Sequence, residues 1–415
     1  MKKLVVLGAG TAGTMVANHL AKLLPKTGEN WGITVIDKDN NHLYQPGLLL
    51  LPFGVYKSEQ LVRPRKAQLN SFVDFQFGEI AKIEPDQNKV LLTDGKEFPY
   101  DYLVIATGTT PRPDQTPGLD DEAIWYKSAF DFYTLEGSVA LEKALKEFQG
   151  GKFVIHLTEL PLKCPVAPLE FAFLADAYFK KRNIREKVEI TYVTPLEGAF
   201  TKPVSSKALG SMLDARDIKL VPDYVIERVD PETKTMYSMD EREVPFDMLV
   251  TVPLNMGADF IAASGLGDEL NYVSVDKETF LSAEYPNIFA LGDASNIPAS
   301  KAGSVAHFAV DMFAENFINY IQGKPMENKF DGHANCFIES GNGKGLLIDF
   351  NYTTEPLPGK FPLPVIGPMP LLKESRINHI GKLAFKWIYW NMLLPGRKIP
   401  ISSKMSMSGK KQVKG

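Results

Sequence analysis

The chain has 415 residues, 44% of them hydrophobic and 23% charged, the balance of a packed globular protein of two or three domains. Its net charge of −4 argues against a general nucleic-acid binder, which is usually basic. The only cysteines, Cys164 and Cys336, lie 172 positions apart, which excludes a disulfide framework or a closely spaced zinc site, so no metal is expected.

Leu4–Leu7 is an apolar run too short for a signal peptide, so none is expected, and it reads as a buried parallel strand. Gly8-Ala9-Gly10-Thr11-Ala12-Gly13 follows it and fits G-x-G-x-x-G, with a helical pattern over Ala12–Leu24. Gly8 permits the tight turn, Gly10 lets backbone approach a pyrophosphate, and Gly13 packs helix on strand. The helix N-terminus favours the anion. Ile33–Ile36 is the second strand, and Asp37 at its end can hydrogen-bond ribose hydroxyls. The ordinary alternative is a glycine-rich turn without a nucleotide. Tyr102–Ala106 is a further buried strand, closed by Thr107-Gly108; Pro111 and Pro113 then mark a break near residues 110–120.

A second β/α unit opens at Gly150-Gly151. Lys152–His156 reads as a strand, Pro168–Lys181 as a helix and Val188–Val193 as the next strand, repeating the first unit. Between strand and helix, Leu157–Pro165 holds no glycine where a pyrophosphate would need close backbone approach. This unit keeps the fold and is expected to have lost a second dinucleotide. Cys164 stands there instead, beside Lys163 and just before a proline-opened helix, two features that lower a thiol pKa. A lone cysteine is otherwise a small buried hydrophobe.

The chain returns to the first unit at Asn287–Asp293. His156 falls in a predicted core strand and His307 in a predicted helix, and neither has metal-ligand spacing. Within His379–Leu394, the residues Ile380, Leu383, Ala384, Trp387, Ile388 and Asn391 form one helical stripe, with Lys382 and Lys386 on another. Lys373–Gly415 carries ten Lys/Arg and one acid, a net +9 that leaves −13 on the rest of the chain. Such an aromatic-rich helix with a basic tail suits an anionic membrane surface. Packing on the protein's own core, with a solvated tail, is the plainer reading. No stretch of about 18 uncharged apolar residues is present, so no spanning helix is expected.

Ala106-Thr107-Gly108 and Ile288–Asp293, with the first glycine motif, resemble the signatures of the two-dinucleotide-domain flavoproteins. That resemblance implies FAD, with Asp293 and Gly292 at its ribityl chain. Lys163-Cys164-Pro165 with Pro168 and Glu170, Asn335–Gly341 around Cys336, Ser300-Lys301-Ala302-Gly303, and the segment from Gly367 to Leu394 resemble the sulfide:quinone oxidoreductases over essentially the whole chain. Many bacterial members carry a third cysteine where this chain has Trp125–Ala129. The likeness is therefore to the two-cysteine branch, with FAD held non-covalently.

The fold class expected is α/β: tandem Rossmann-like domains, an FAD domain (1–115 and 277–330) and a degenerate NAD-like domain (116–276), followed by a C-terminal amphipathic membrane-associating segment (331–415). The resemblance implies that sulfide opens a Cys164/Cys336 disulfide or sulfur-bridged pair. It implies that the resulting thiolate reduces FAD, that a quinone takes the electrons, and that a small sulfur acceptor takes the sulfur. Glu170 and Lys301 are candidates for proton handling or flavin tuning, against the plainer readings of an exposed helix carboxylate and a surface lysine. Phe308 and Phe337 are candidates for lining a quinone pocket. Removing 373–415 is expected to detach the protein from membranes while sparing flavin reduction by sulfide. The partners are thus sulfide, quinone, a sulfur acceptor and a membrane surface, without nucleic acid; a homo-oligomer and the side of the membrane stay open. Alternatives are a soluble flavocytochrome-type sulfide dehydrogenase subunit, a sulfur-binding flavoprotein without turnover, and a type II NADH:quinone dehydrogenase, which the missing second glycine motif disfavours.

Overall fold

A computed structural model describes residues 1–362 and 367–411. Lys414 of the basic tail lies outside these residues.

Two five-stranded parallel sheets carry the fold. The first runs in the order Ile288–Ala290, Tyr102–Ile105, Lys2–Leu7, Trp31–Asp37, Val73–Phe77. Its central strands carry the buried runs Leu4–Leu7 and Leu103–Ile105, covered on both faces by helices and a small antiparallel meander. The second runs Ala129–Phe130, Met248–Val252, Gly151–Leu157, Val188–Val193, Ile218–Val221. His156 is a core residue of this sheet, its Nδ1 3.0 Å from the Thr251 hydroxyl. Both sheets are Rossmann-like, and the strand Ile288–Ala290 brings the chain back to the first after the second is complete.

The two units differ where strand becomes helix. In the first, the strand ends at Leu7 and the helix starts at Thr11. In the second, the strand ends at Leu157 and the helix starts only at Ala167. The nine-residue link carries Cys164 out of the sheet, and backbone hydrogen bonds clamp it. The Cys164 N–H donates to the Lys301 carbonyl at 2.7 Å, and the Ala167 N–H donates to the Cys164 carbonyl at 2.8 Å. Cys164 adopts φ +48°, a left-handed conformation that costs a non-glycine residue energy and is tolerated where surroundings fix it.

A hairpin, Ala334–Gly341 with Lys344–Phe350, and a helix, Arg376–Ile388, complete the molecule. The helix widens into a π turn over Tyr389–Leu393, which docks on the first unit. There the Tyr389 hydroxyl lies 2.8 Å from the Thr11 hydroxyl and 2.7 Å from His42 Nε2. The Asn18 amide donates to the Leu394 carbonyl at 2.6 Å. The C-terminal segment is therefore part of the body that builds the cleft.

Candidate active site

The glycine motif behaves as its spacing requires. Gly8 has φ +87°, and a Cβ there would lie 2.6 Å from the Ala106 carbonyl oxygen. A Cβ on Gly13 would lie 1.9 Å from the Gly8 oxygen, whereas a Cβ on Gly10 would meet nothing within 4 Å. Gly10 therefore faces open space, with the free N–H groups of a helix that has no side-chain cap. Asp37 has a further role that spacing alone did not reveal. Its Oδ2 accepts the Ala9 N–H at 2.6 Å and meets Arg65 Nη1 at 3.0 Å, so the acid fixes the turn; it is not among the residues that line the cleft.

One cleft gathers most of the expected residues. Gly10, Thr107, Gly108, Gly292, Asp293 and Lys301 line it together with Cys164 and Glu170. The hydroxyls of Thr107 and Thr109 are buried without a protein partner. Orphaned hydroxyls beside an open glycine turn fit a polar dinucleotide running along the cleft. FAD is the cofactor that the resemblance implies, and these residues fit it.

Cys164 lines the cleft, and Cys336, on the hairpin, lies close enough to feel the charge of Cys164; both are free. The expectation of a lowered Cys164 pKa is corrected: burial pushes the thiol up to about 11. Lys163 is not the cation beside it, since its ammonium is within the field of Asp293 and Asp131. Lys382 is that cation, and it acts with the N–H groups of Val166 and Ala167 to pull the thiol back down. Burial raises Cys336 further, and the thiol of Cys164 adds to the rise.

Glu170 and Lys301 are neither exposed nor superficial, which overturns their plainer readings. Glu170 is completely buried and its Oε1 is held by Lys382 Nζ and by the Glu339 N–H at 3.0 Å. Its Oε2 has no partner. Burial raises this carboxyl to about 7, against the pull of Lys382. Burial works against the Lys382 ammonium too, but Glu170, Cys164 and Glu339 together hold it charged. Lys301 is 7% exposed; its ammonium donates to the carbonyls of Asp293 at 3.0 Å and Ser295 at 2.9 Å, and burial brings its pKa down to about 8.

Lys382 is the residue that the sequence reading misplaced. The helix Arg376–Ile388 turns Asn378, Gly381, Lys382, Phe385 and Tyr389 toward the protein, while Ile377, Ile380, Ala384 and Trp387 face out. The stripe at positions 378, 381, 382, 385 and 389 has helical spacing, but its polar members hid it. Phe337 packs against Gly381, and Phe308 stacks on His333 behind the hairpin.

Residues 2–154 match the family described as pyridine nucleotide-disulphide oxidoreductase. The mitochondrial sulfide:quinone oxidoreductase of Mus musculus is 27% identical over 401 residues, covering 95% of this chain and 86% of that protein. The sulfide-quinone reductase of Aquifex aeolicus (strain VF5) is 26% identical over 416 residues, covering 94% and 91%. The chain is thus similar to sulfide:quinone oxidoreductases over nearly its whole length. The family fold is shared in three dimensions: the crystal structure of the sulfide:quinone oxidoreductase from Aquifex aeolicus superposes with a TM-score of 0.79 at 24% identity, over 96% of this chain and 92% of that one.

Proposed function

We propose that this chain oxidises sulfide through Cys164 and Cys336 and passes the electrons by way of FAD to a quinone. The observation that carries this reading is the place of Cys164 in the cleft lined by Thr107, Asp293 and Lys301, with Cys336 of the hairpin within reach of its charge. Gly8, Gly10 and Gly13 would hold the pyrophosphate, Asp37 a ribose, and Thr107, Gly108, Gly292 and Asp293 the remainder. Bound there, FAD supplies a two-electron acceptor that a quinone can reoxidise.

The electrostatics separate the roles of the two sulfurs. In the oxidised pair joined as a direct disulfide, hydrosulfide attacks the Cys336 sulfur, the S–S bond to Cys164 breaks, and its electron pair stays on Cys164 as a thiolate. Lys382 and the helix N-terminal N–H groups stabilise that thiolate; Lys382 and Glu170 act on both sulfurs, and Cys336 is raised further by burial and by the charge of Cys164. Cys336 keeps the persulfide, whose proton the free oxygen of Glu170 can accept. A small sulfur acceptor then removes the terminal sulfur.

The outward face of Arg376–Ile388 supports membrane association. Ile380 is 57% and Trp387 63% exposed, although a helix serving only a soluble core would turn these inward. Burying such a face in lipid contributes on the order of 4–6 kcal/mol, enough for reversible attachment. Among the described residues no helix is long and apolar enough to cross a membrane.

Anaerobic flavin absorbance, titrated separately with sulfide and NADH, tests the reading. Bleaching by sulfide alone, reversed by a quinone, is expected. Bleaching by NADH alone would assign the electrons to a nicotinamide and remove the cysteines from the chemistry.

A further inference from the structure

The basic tail is fastened to the protein through a charge that the reaction scheme does not use. The Met405 N–H donates to Asp331 Oδ2 at 3.1 Å, Ser403 bonds to His333 and Asp311, and the Lys411 N–H donates to the Pro358 carbonyl at 2.8 Å. At the centre of this strap Lys410 Nζ lies 2.5 Å from Asp349 Oδ2, with side chains 2% and 1% exposed. The other oxygen of Asp349 meets His333 Nε2 at 2.7 Å and the Asn335 amide at 3.3 Å.

Asp349 stands directly behind the redox hairpin. It pairs across the hairpin with Asn335, and its neighbour Ile348 pairs with Cys336. The charged and titratable groups acting on Cys336 are Cys164, Lys382, Glu170 and Asp349. A buried ion pair is weak support for stability, because apolar residues of similar volume usually serve as well. An ammonium buried here has a more specific consequence: it cancels a carboxylate behind a sulfur that an anion must approach.

We propose that Lys410 is a positioning residue for the redox pair, neutralising Asp349 so that Cys336 can be attacked by an anionic nucleophile. The proposal rests on the reading of Cys336 given above. The tail thereby links the lipid-facing helix to the back of the cysteine hairpin.

The test uses full-length, FAD-loaded protein and four variants: Lys410→Met, Lys410→Arg, Asp349→Asn and the double Lys410→Met/Asp349→Asn. Two rates are followed: bleaching by sulfide, and alkylation of Cys336 by iodoacetamide after reduction, in a Cys164→Ser background. Lys410→Met slows both by about tenfold, the effect of roughly one pH unit on the sulfur. Lys410→Arg stays near the parent, and the double variant recovers to within about twofold. Asp349→Asn speeds alkylation, and this arm decides the matter if Lys410→Met does not fold. Rates for Lys410→Met within twofold of the parent, a double variant as slow as the single, or unchanged alkylation in Asp349→Asn would each overturn the proposal. If sulfide fails to bleach the parent, the functional reading falls, while the alkylation series still reads the charge effect.

Discussion

At Cys164, burial and charge oppose one another, and the balance sits on one ion pair. Burial raises the thiol to about 11, Lys382 lowers it, and Glu170 raises it. The two partners of this pair should therefore act in opposite directions. Glu170→Gln frees the ammonium to act on Cys164 and is expected to speed its alkylation at pH 8 by about tenfold, whereas Lys382→Met slows it by a similar factor. A merely structural pair would shift both rates the same way. Because the thiol titrates near 11, alkylation should climb about tenfold per pH unit from 7 to 9 without levelling. A plateau near pH 8 would show that burial does not dominate. Cys164→Ser or Cys336→Ser should each retain FAD and lose bleaching by sulfide; near-normal turnover in both would remove the proposed mechanism. The cysteines, the glycines and Asp293 were legible because each residue type carries its own chemistry. Lys382 was not, because a lysine on an amphipathic helix looks the same in sequence whether it faces water or a buried carboxylate.

Elements show a similar division. The helix Arg376–Ile388 has an apolar stripe that was plain from its period, but which side it faced could not be read from spacing. Its polar side turns inward because Glu170 and Glu339 wait there: Lys382 meets the first, and His379 Nδ1 lies 2.8 Å from the second. Replacing Ile380 and Trp387 together by Glu is expected to abolish sedimentation with anionic liposomes and impair quinone reduction, while bleaching by sulfide persists. Continued sedimentation would move the anchor elsewhere. At the other end of the chain, Gly13→Ala must displace the Gly8 carbonyl from a contact of 1.9 Å, so loss of bound flavin is expected, read directly from the absorbance spectrum.

On the scale of the whole molecule, the C-terminal segment has two duties that sequence made look like one. Deleting 373–415 was expected to free the protein from membranes and spare the flavin. The structure revises this, since the deletion also removes Lys382 from Glu170 and Tyr389 from Thr11. Cutting away one partner of a buried pair costs about 3–5 kcal/mol. The truncated protein is therefore expected to lose sulfide-dependent bleaching as well as membrane binding, measured on the same sample. Bleaching at the parent rate would mean that the segment is an anchor only.

The sequence by itself determined the tandem Rossmann-like plan, the glycine turn at Gly8–Gly13, the absence of such a turn in the second unit, and the two isolated cysteines on which the proposed chemistry rests. These follow from local rules: a turn needs its glycines, a parallel strand its apolar run, and a thiol its own reactivity. The environment of each reacting group was decided only by tertiary structure. Burial raised the pKa of Cys164 where a lowered one was expected, drew Glu170 and Lys301 inside, turned Lys382 toward the cleft, and set Lys410 against Asp349. Burial and charge depend on what lies across several hundred residues of chain, and local spacing holds no record of that distance.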